Sequence, residues 1–168
     1  HGSEYVVAWG GETLHGQDIS ITHVDIDNLL RAKAAIYAGF DVLAAQVGLT
    51  MDSIQQVLVG GSFGRYINVE TAVQIGLLPD IPWERYKFLG NTAVRGVYYA
   101  LIDRSARARL DQIAAKMTYI ELSADNSFYE AFMAAMFLPH TDLTRFPSVA
   151  AREQTGRISE LYKREAFL

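Results

Sequence analysis

The sequence of 168 residues contains no cysteine. This absence excludes disulfides, thiolate catalysis and cysteine-ligated zinc or iron-sulfur centres within these residues, and it favours a cytoplasmic location over an extracellular one. Any redox cofactor must therefore belong to another chain or to a segment outside this one. The four histidines have no mutual spacing that would ligate a metal ion, so we expect no metal site: His1, His15, His23 and His140.

Long hydrophobic runs are also missing. The apolar runs are broken by charged residues or glycine well short of the roughly 18 residues that a membrane helix needs, and no basic-then-apolar leader is present. We therefore expect neither a membrane span nor a secretory signal. The opening His1-Gly2-Ser3 resembles the remnant of an expression tag, and we treat the sequence from Glu4 onward as a piece of a longer protein.

Excess charge of one sign is likewise small. The chain has 15 lysines and arginines against 19 aspartates and glutamates, which gives a net charge of −4. Both signs are scattered along the sequence and form no basic stripe of the kind that neutralises a phosphate backbone. Nucleic acid is therefore not an expected partner.

Apolar residues make up 50% of the chain, which is enough to bury a core. The pattern begins with a strand over Glu4–Trp9, a turn-rich loop to Ile19, and a long helix. Thr22 and Asp25 resemble a capping box at the start of that helix, and Gly48 marks its end. Its predicted apolar stripe consists of Ile26, Leu29, Leu30, Ile36, Tyr37, Phe40, Leu43 and Val47.

Strands and helices then alternate, which predicts an α/β domain. The predicted strands cover 55–59, 86–89 and 119–122, and the predicted helices cover 69–75, 92–100, 105–116 and 128–137. From Pro139 the composition shifts towards a final polar helix, roughly 150–166. We therefore divide the chain into a domain over 4–139 and a polar helical tail over 140–168.

The segment VLVGGSFGRY, Val57 to Tyr66, carries three glycines directly behind an apolar strand. Backbone N–H groups at a strand-to-helix turn point into the crevice beyond the strand, where glycine lets a phosphate or ribose approach closely. The segment matches neither the phosphate-loop signature nor GxGxxG spacing. A tight turn that only lets strand and helix pack is the alternative, and the pattern alone leaves both open.

Lys33 lies in the middle of the apolar stripe of the long helix, among alanines and Gly39. One interpretation is a side chain whose stem follows apolar surface while its ammonium reaches water. The other is a cation that faces a cleft holding an anionic or polar ligand. The turn Gly90-Asn91-Thr92 offers a second glycine-marked site, where Asn91 either caps the next helix or contacts a ligand. No pair of carboxylates stands out as an acid/base couple, so catalytic residues stay unassigned.

Four segments together resemble the carboxyl-terminal region of the reductive activators of corrinoid proteins: RAKAAIYAGFDVL, VLVGGSFGRYINVETAVQIGLLPDIP, KFLGNTAVRG and YIELSADNSFYEAFMAAMFLP. The resemblance covers residues 19–139 in order. It implies a ribonuclease H-like half-domain of an actin-like ATPase, with a mixed sheet and flanking helices. Members of the family also carry a ferredoxin-like 2Fe-2S domain, which the resemblance would place on a missing N-terminal segment.

The resemblance assigns candidate roles to particular residues. It implies that Gly60, Gly61, Ser62, Phe63 and Gly64 form an adenosine-binding turn. It also implies that Lys33 contacts the ribose or adenine, with Asn91 as a weaker candidate. ATP and magnesium would bind the full-length protein, and the phosphate and magnesium ligands would lie outside this chain.

The implied function is the ATP-dependent return of Co(II) corrinoid to Co(I) on a methyltransferase or corrinoid protein. This chain alone would neither hydrolyse ATP well nor carry an electron, since phosphoryl transfer depends on γ-phosphate and metal positioning that it lacks. Two alternatives stay open: a small-molecule kinase of the same superfamily, and a non-catalytic interaction module. A homodimer is also left open.

Overall fold

The protein is described here by a computed structural model that covers residues 3–62, 64, 66–124 and 126–154. Within those residues it is a mixed α/β chain, as predicted. The strands are β1 (Glu4–Ala8), β2 (Ile19–Thr22), β3 (Val57–Gly60) and β4 (Tyr86–Gly90). The helices are α1 (His23–Gln46), α2 (Val69–Gln74), α3 (Thr92–Ile102), α4 (Arg104–Ala114), α5 (Asn126–Ala135) and α6 (Pro147–Gln154).

The start of α1 confirms the predicted capping box. The Asp25 N–H donates to Thr22 Oγ1 at 3.2 Å, and the Asp25 carboxylate accepts the Thr22 N–H at 2.9 Å. The Thr22 hydroxyl and N–H together hold the pKa of Asp25 below its ordinary value. The far end also agrees with the prediction, because Gly48 has a φ of 67° just beyond the last turn.

The predicted apolar stripe of α1 was largely wrong. The buried residues of the helix are instead Lys33, Ala34, Tyr37, Ala38 and Val42. Five predicted stripe residues that are exposed are Ile26, Leu29, Ile36, Leu43 and Val47. Helix α5 is the main neighbour of α1, and Ala34 and Ala38 of α1 and Ala135 of α5 are fully buried. Small side chains let the helices approach closely, so the alanine face is buried rather than the larger residues.

The strands form two separate pairs in the described part of the chain. Strands β1 and β2 are antiparallel, whereas β3 and β4 are parallel, with Val57 beside Tyr86 and Val59 beside Phe88. Strand β2 was missed because it is only four residues long, and its two ends were assigned to the preceding loop and to the cap of α1. The strand predicted over 119–122 is absent from this region, where a short 3₁₀ turn begins at Leu122 instead.

The core lies between α1, α2, α5 and the β3–β4 pair. Phe146 and Val149, beyond the domain boundary predicted at 139, are buried in the same core, where Phe146 packs on Tyr37 with ring centroids 5.3 Å apart. Helix α6 begins at Pro147, and most of the tail helix predicted over 150–166 lies outside the described residues. Among the described helices, none is both long and apolar enough to cross a membrane.

Candidate functional site at the glycine turns

The two parallel strands end in glycine turns that lie side by side. The backbone N–H of Gly61 donates to the carbonyl of Gly90 at 2.7 Å, which ties the turn after β3 to the turn after β4. Both glycines have positive φ, 96° at Gly61 and 67° at Gly90, a conformation that other residues adopt only with strain. The carboxyl ends of parallel strands are where α/β folds bind ligands, and the structure brings both predicted turns to this edge.

The positions in the two turns require glycine for different structural reasons. A Cβ on Gly60 would lie 2.8 Å from Thr92 Oγ1, and a Cβ on the buried Gly64 would lie 2.8 Å from the ring of Phe88. Packing alone therefore explains why Gly60 and Gly64 are glycines. A Cβ on Gly61 or Gly90 would meet no atom of the described residues within 4 Å, so their backbone conformation and the space beside them remain as reasons. Gly61 thus presents partly accessible backbone at this edge.

The remaining predicted residues of the two turns can be placed as follows. Ser62 is exposed next to Gly61. Phe63 lies outside the described residues. Asn91 caps α3, since its side-chain oxygen accepts the Val94 N–H at 3.0 Å. The capping interpretation of Asn91 is thereby confirmed, while its contact with a ligand stays a prediction.

Lys33 is fully buried, so the interpretation that its ammonium reaches water was wrong. The ammonium donates to the carbonyl of Pro139 at 2.8 Å and also to the carbonyl of Phe137. Burial lowers the pKa of Lys33 to about 8, since the charged form is taken out of water. The lysine therefore joins the middle of α1 to the turn that follows α5.

The same turn contacts a third element through Gly76, just after α2. A Cβ on Gly76 would lie 2.1 Å from the carbonyl oxygen of Pro139, and Gly76 has a φ of 75°. One carbonyl therefore meets both the Lys33 ammonium and the bare backbone of Gly76. Sequence reasoning predicted the helix stop at Gly76 but missed this junction, because nothing local links residues 33, 76 and 139.

The turn continues into a buried aromatic cluster. The His140 ring lies 5.3 Å from Tyr37 between centroids, and its Nδ1 accepts the Asp142 N–H at 2.9 Å. Burial first, and then the nearby Arg145 guanidinium, lowers the pKa of His140. In the described residues, no group of three or more histidines or carboxylates could hold a metal ion.

A second concave feature lies at the other end of β3. A cavity of about 440 Å³ is lined by residues that include Tyr37, Asp41, Asp80 and Arg145, together with the 49–52 loop that precedes the strand. Arg145 Nη1 pairs with Asp41 at 2.7 Å, whereas Asp52 and Asp80 leave the lining with an excess of negative charge. Sequence reasoning missed this cavity, because Asp41 and Arg145 are 104 positions apart.

A family profile described as the C-terminal domain of RACo, the ASKHA domain, matches residues 1–150. Among solved structures, a chain named reductive activator for corrinoid,iron-sulfur protein is similar, with 47% sequence identity and a TM-score of 0.80. That match covers 87% of this chain and 23% of the solved chain.

Two curated proteins are also similar. The corrinoid activation enzyme RamQ of Eubacterium limosum is 34% identical over 129 residues, which cover 77% of this chain and 22% of that protein. The [Co(II) methylated amine-specific corrinoid protein] reductase of Methanosarcina barkeri is 23% identical over 128 residues, covering 75% of this chain and 24% of that protein. This chain thus spans less than a quarter of the length of its curated relatives. By its profile match and its fold, the chain belongs to the family of the C-terminal ASKHA domain of RACo.

Proposed function

We propose that this chain is part of a longer, ATP-dependent reductive activator that returns Co(II) corrinoid to Co(I) on a partner protein. The relatives' names support the activity, since one is a corrinoid activation enzyme and another a Co(II) corrinoid protein reductase. The observation that carries the nucleotide part of the proposal is the pair of glycine turns, joined by the Gly61–Gly90 hydrogen bond at the carboxyl edge of β3 and β4.

The half-buried backbone of Gly61 fits the approach of a nucleotide. Its φ of 96° and the open space beside it leave a surface without a side chain, which is what close approach of a ribose or phosphate requires. Ser62 adds an exposed hydroxyl next to it. In this proposal the Gly60–Gly64 turn supplies one wall of a nucleotide cleft, and the other wall and the magnesium ligands belong to the rest of the longer protein.

The electron must come from outside these residues. The sequence has no cysteine and therefore does not fit a cysteine-ligated 2Fe-2S cluster. Reduction of Co(II) to Co(I) consumes one electron, which we assign to a 2Fe-2S domain elsewhere in the longer protein. The role of this chain would be to couple nucleotide binding to the conformation that the corrinoid protein meets, through different nucleotide affinities of the two states.

We extend the proposal to the fold. The two strand pairs would be parts of one mixed, ribonuclease H-like sheet that the longer protein completes. Two-stranded sheets are marginal on their own. Both pairs here, β1–β2 and β3–β4, have unpaired edges in the described part of the chain, which supports an additional strand.

Calorimetric titration of magnesium-ATP and ADP into the longer protein, with this chain as the control, tests the nucleotide cleft. We expect binding to the longer protein and weak or no binding to this chain. Gly61→Val should lower the affinity of the longer protein at least about tenfold, because a branched side chain would occupy the approach to the backbone.

Gly48→Val is the matched control for backbone strain. Gly48 also has a positive φ, 67°, with no atom within 4 Å of a Cβ, but it lies at the end of α1. We expect this variant to lose similar stability while keeping the affinity of the longer protein. Wild-type affinity in Gly61→Val would remove this turn from the nucleotide site, and absence of binding to either protein would favour a non-catalytic interaction module.

A further inference from the structure

Helices α3 and α4 form a hairpin that is unlike the other described helices. The two helices pack on each other, yet neither contributes a single buried residue. Val97 and Leu101 of α3 expose 61% and 70% of their surface. An apolar helix face of this size is uncommon on the surface of a monomer and marks an interface.

The hairpin carries a groove on this face. The groove has a volume of about 500 Å³ and is lined almost entirely by apolar atoms. Small residues, Ala93, Gly96 and Ala100, form one part of its lining, and Leu101 and Leu110 form another. A Cβ on Gly96 would meet no atom within 4 Å, so space exists for another backbone to come close. These dimensions suit an α-helix packed at short distance.

One basic side chain lies at the edge of the groove. Arg107 lines it, and its Nε–H donates to the carbonyl of Ala100 at 2.7 Å, which fixes the guanidinium at the edge. Residues 92–117 contain five lysines and arginines against two aspartates, although the whole chain has a net charge of −4. An occupant with a carboxylate beside Arg107 would be electrostatically complementary.

The groove also adjoins the glycine turns. Thr92 lines one end of it and is the residue that a Cβ on Gly60 would strike. A segment seated in the groove would therefore lie beside the nucleotide edge. Permanent interfaces are more apolar than those of transient partners, and the relatives extend over more than three quarters of their length beyond the matched region.

We propose that the α3–α4 groove holds an amphipathic helix from the part of the longer protein that lies outside this chain. That helix places its apolar side on Gly96 and Leu101 and a carboxylate near Arg107. This inference rests on the proposed function only in taking this chain as part of a longer activator. It adds a fixed contact beside the nucleotide edge, through which the two parts of the protein would move together.

Hydrogen exchange of residues 92–117, measured in the longer protein and in this chain, tests the inference. We expect α3 amides to exchange at least about tenfold more slowly in the longer protein. Gly96→Leu should remove that difference by filling the groove. In this chain the same variant should keep or raise the melting temperature by about 2–4 °C, because leucine favours a helix over glycine and meets open space.

Ala108→Leu is the matched control, since Ala108 is exposed on the same hairpin and does not line the groove. We expect it to preserve the slow exchange in the longer protein. Equal exchange of α3 in the two proteins would overturn the inference. So would protection that develops only with rising concentration of this chain, or only when a corrinoid protein is added.

Nucleotide titration of the same longer protein separates this inference from the proposed function. Nucleotide binding without protection of α3 would reject the helix in the groove and leave the proposed function standing. Protection of α3 that Gly96→Leu abolishes, in a protein that binds no nucleotide, would support the groove and reject the proposed ATP dependence.

Discussion

Helices α1 and α3 differ in how far the described residues bury them. Five residues of α1 are buried, and its one buried cation is bonded to two carbonyls. None of α3 is buried, although its sequence is apolar. Helix α1 buries one face within this chain, although five of its larger apolar residues are exposed, whereas α3 buries no residue. We therefore expect substitutions around α1 to change stability, and substitutions around α3 and the glycine turns to change binding or assembly.

The largest expected effect is a loss of stability at Gly76, which lies against the Pro139 carbonyl. Gly76→Ala would place a Cβ 2.1 Å from the Pro139 carbonyl oxygen and would force alanine into a φ of 75°. We expect a loss of about 4 kcal/mol of unfolding free energy, since the neighbour is backbone of the central junction and cannot move alone. Urea unfolding of this chain measures it.

Gly48→Ala serves as the control, because it carries the conformational strain without the clash. We expect a cost of only about 1 kcal/mol there. If the two alanine variants proved equally stable, the Pro139 carbonyl would not be fixed against Gly76. The packing between α1, Gly76 and the turn after α5 would then be looser than the contacts indicate.

The next effect, at Lys33, is smaller and depends on pH. Lys33→Met removes the donor to Phe137 and Pro139, and we expect a cost of about 2 kcal/mol at pH 7 from two carbonyls left without it. Since burial lowers the Lys33 pKa from 10.5 to about 8, the unfolded chain binds more protons between these values. The unfolding free energy of the wild type should therefore rise from pH 8 towards pH 10 relative to the variant.

Urea unfolding of both proteins at pH 7, 8, 9 and 10 checks this dependence. A constant difference across that range would contradict the lowered pKa. Nucleotide affinity of the longer protein carrying Lys33→Met separates the two roles of the lysine. A lower affinity in a variant that stays folded would support the predicted contact of Lys33 with the nucleotide. An unchanged affinity would leave Lys33 with only its structural role, which is to join α1 to the turn after α5.

Local signals predicted much of this fold. The Thr22–Asp25 capping box, the Asn91 cap and the Gly48 stop each depend on neighbouring residues, so the sequence pattern contained them. The buried face of α1 was mispredicted because it depends on α5, which lies about 100 residues further along the chain. On α1, small alanines are buried while larger apolar residues are exposed, which is the reverse of the simple hydrophobic pattern.

The candidate site was predictable in the same uneven way. The glycine turns could be found individually, but only the structure shows that β3 and β4 are parallel neighbours, which places both turns at one edge. The Lys33 junction could not be found, because its acceptors are backbone carbonyls that carry no residue signature. The α3–α4 groove was missed because its apolar residues are typical of a buried helix, and only the structure shows them uncovered.

The smallest expected effect is a loss of stability at Asn91, which caps α3. Asn91→Ala removes the cap of α3 and should cost about 1 kcal/mol, whereas Asn91→Asp keeps an oxygen acceptor for the Val94 N–H and should cost little. Thermal unfolding of this chain measures both changes. If Asn91 is a cap remote from the phosphates, the longer protein with Asn91→Asp should bind nucleotide as the wild type does. A lower affinity at unchanged stability would instead show that the phosphates lie close to this side chain, because a new negative charge repels phosphate while the helix start is preserved.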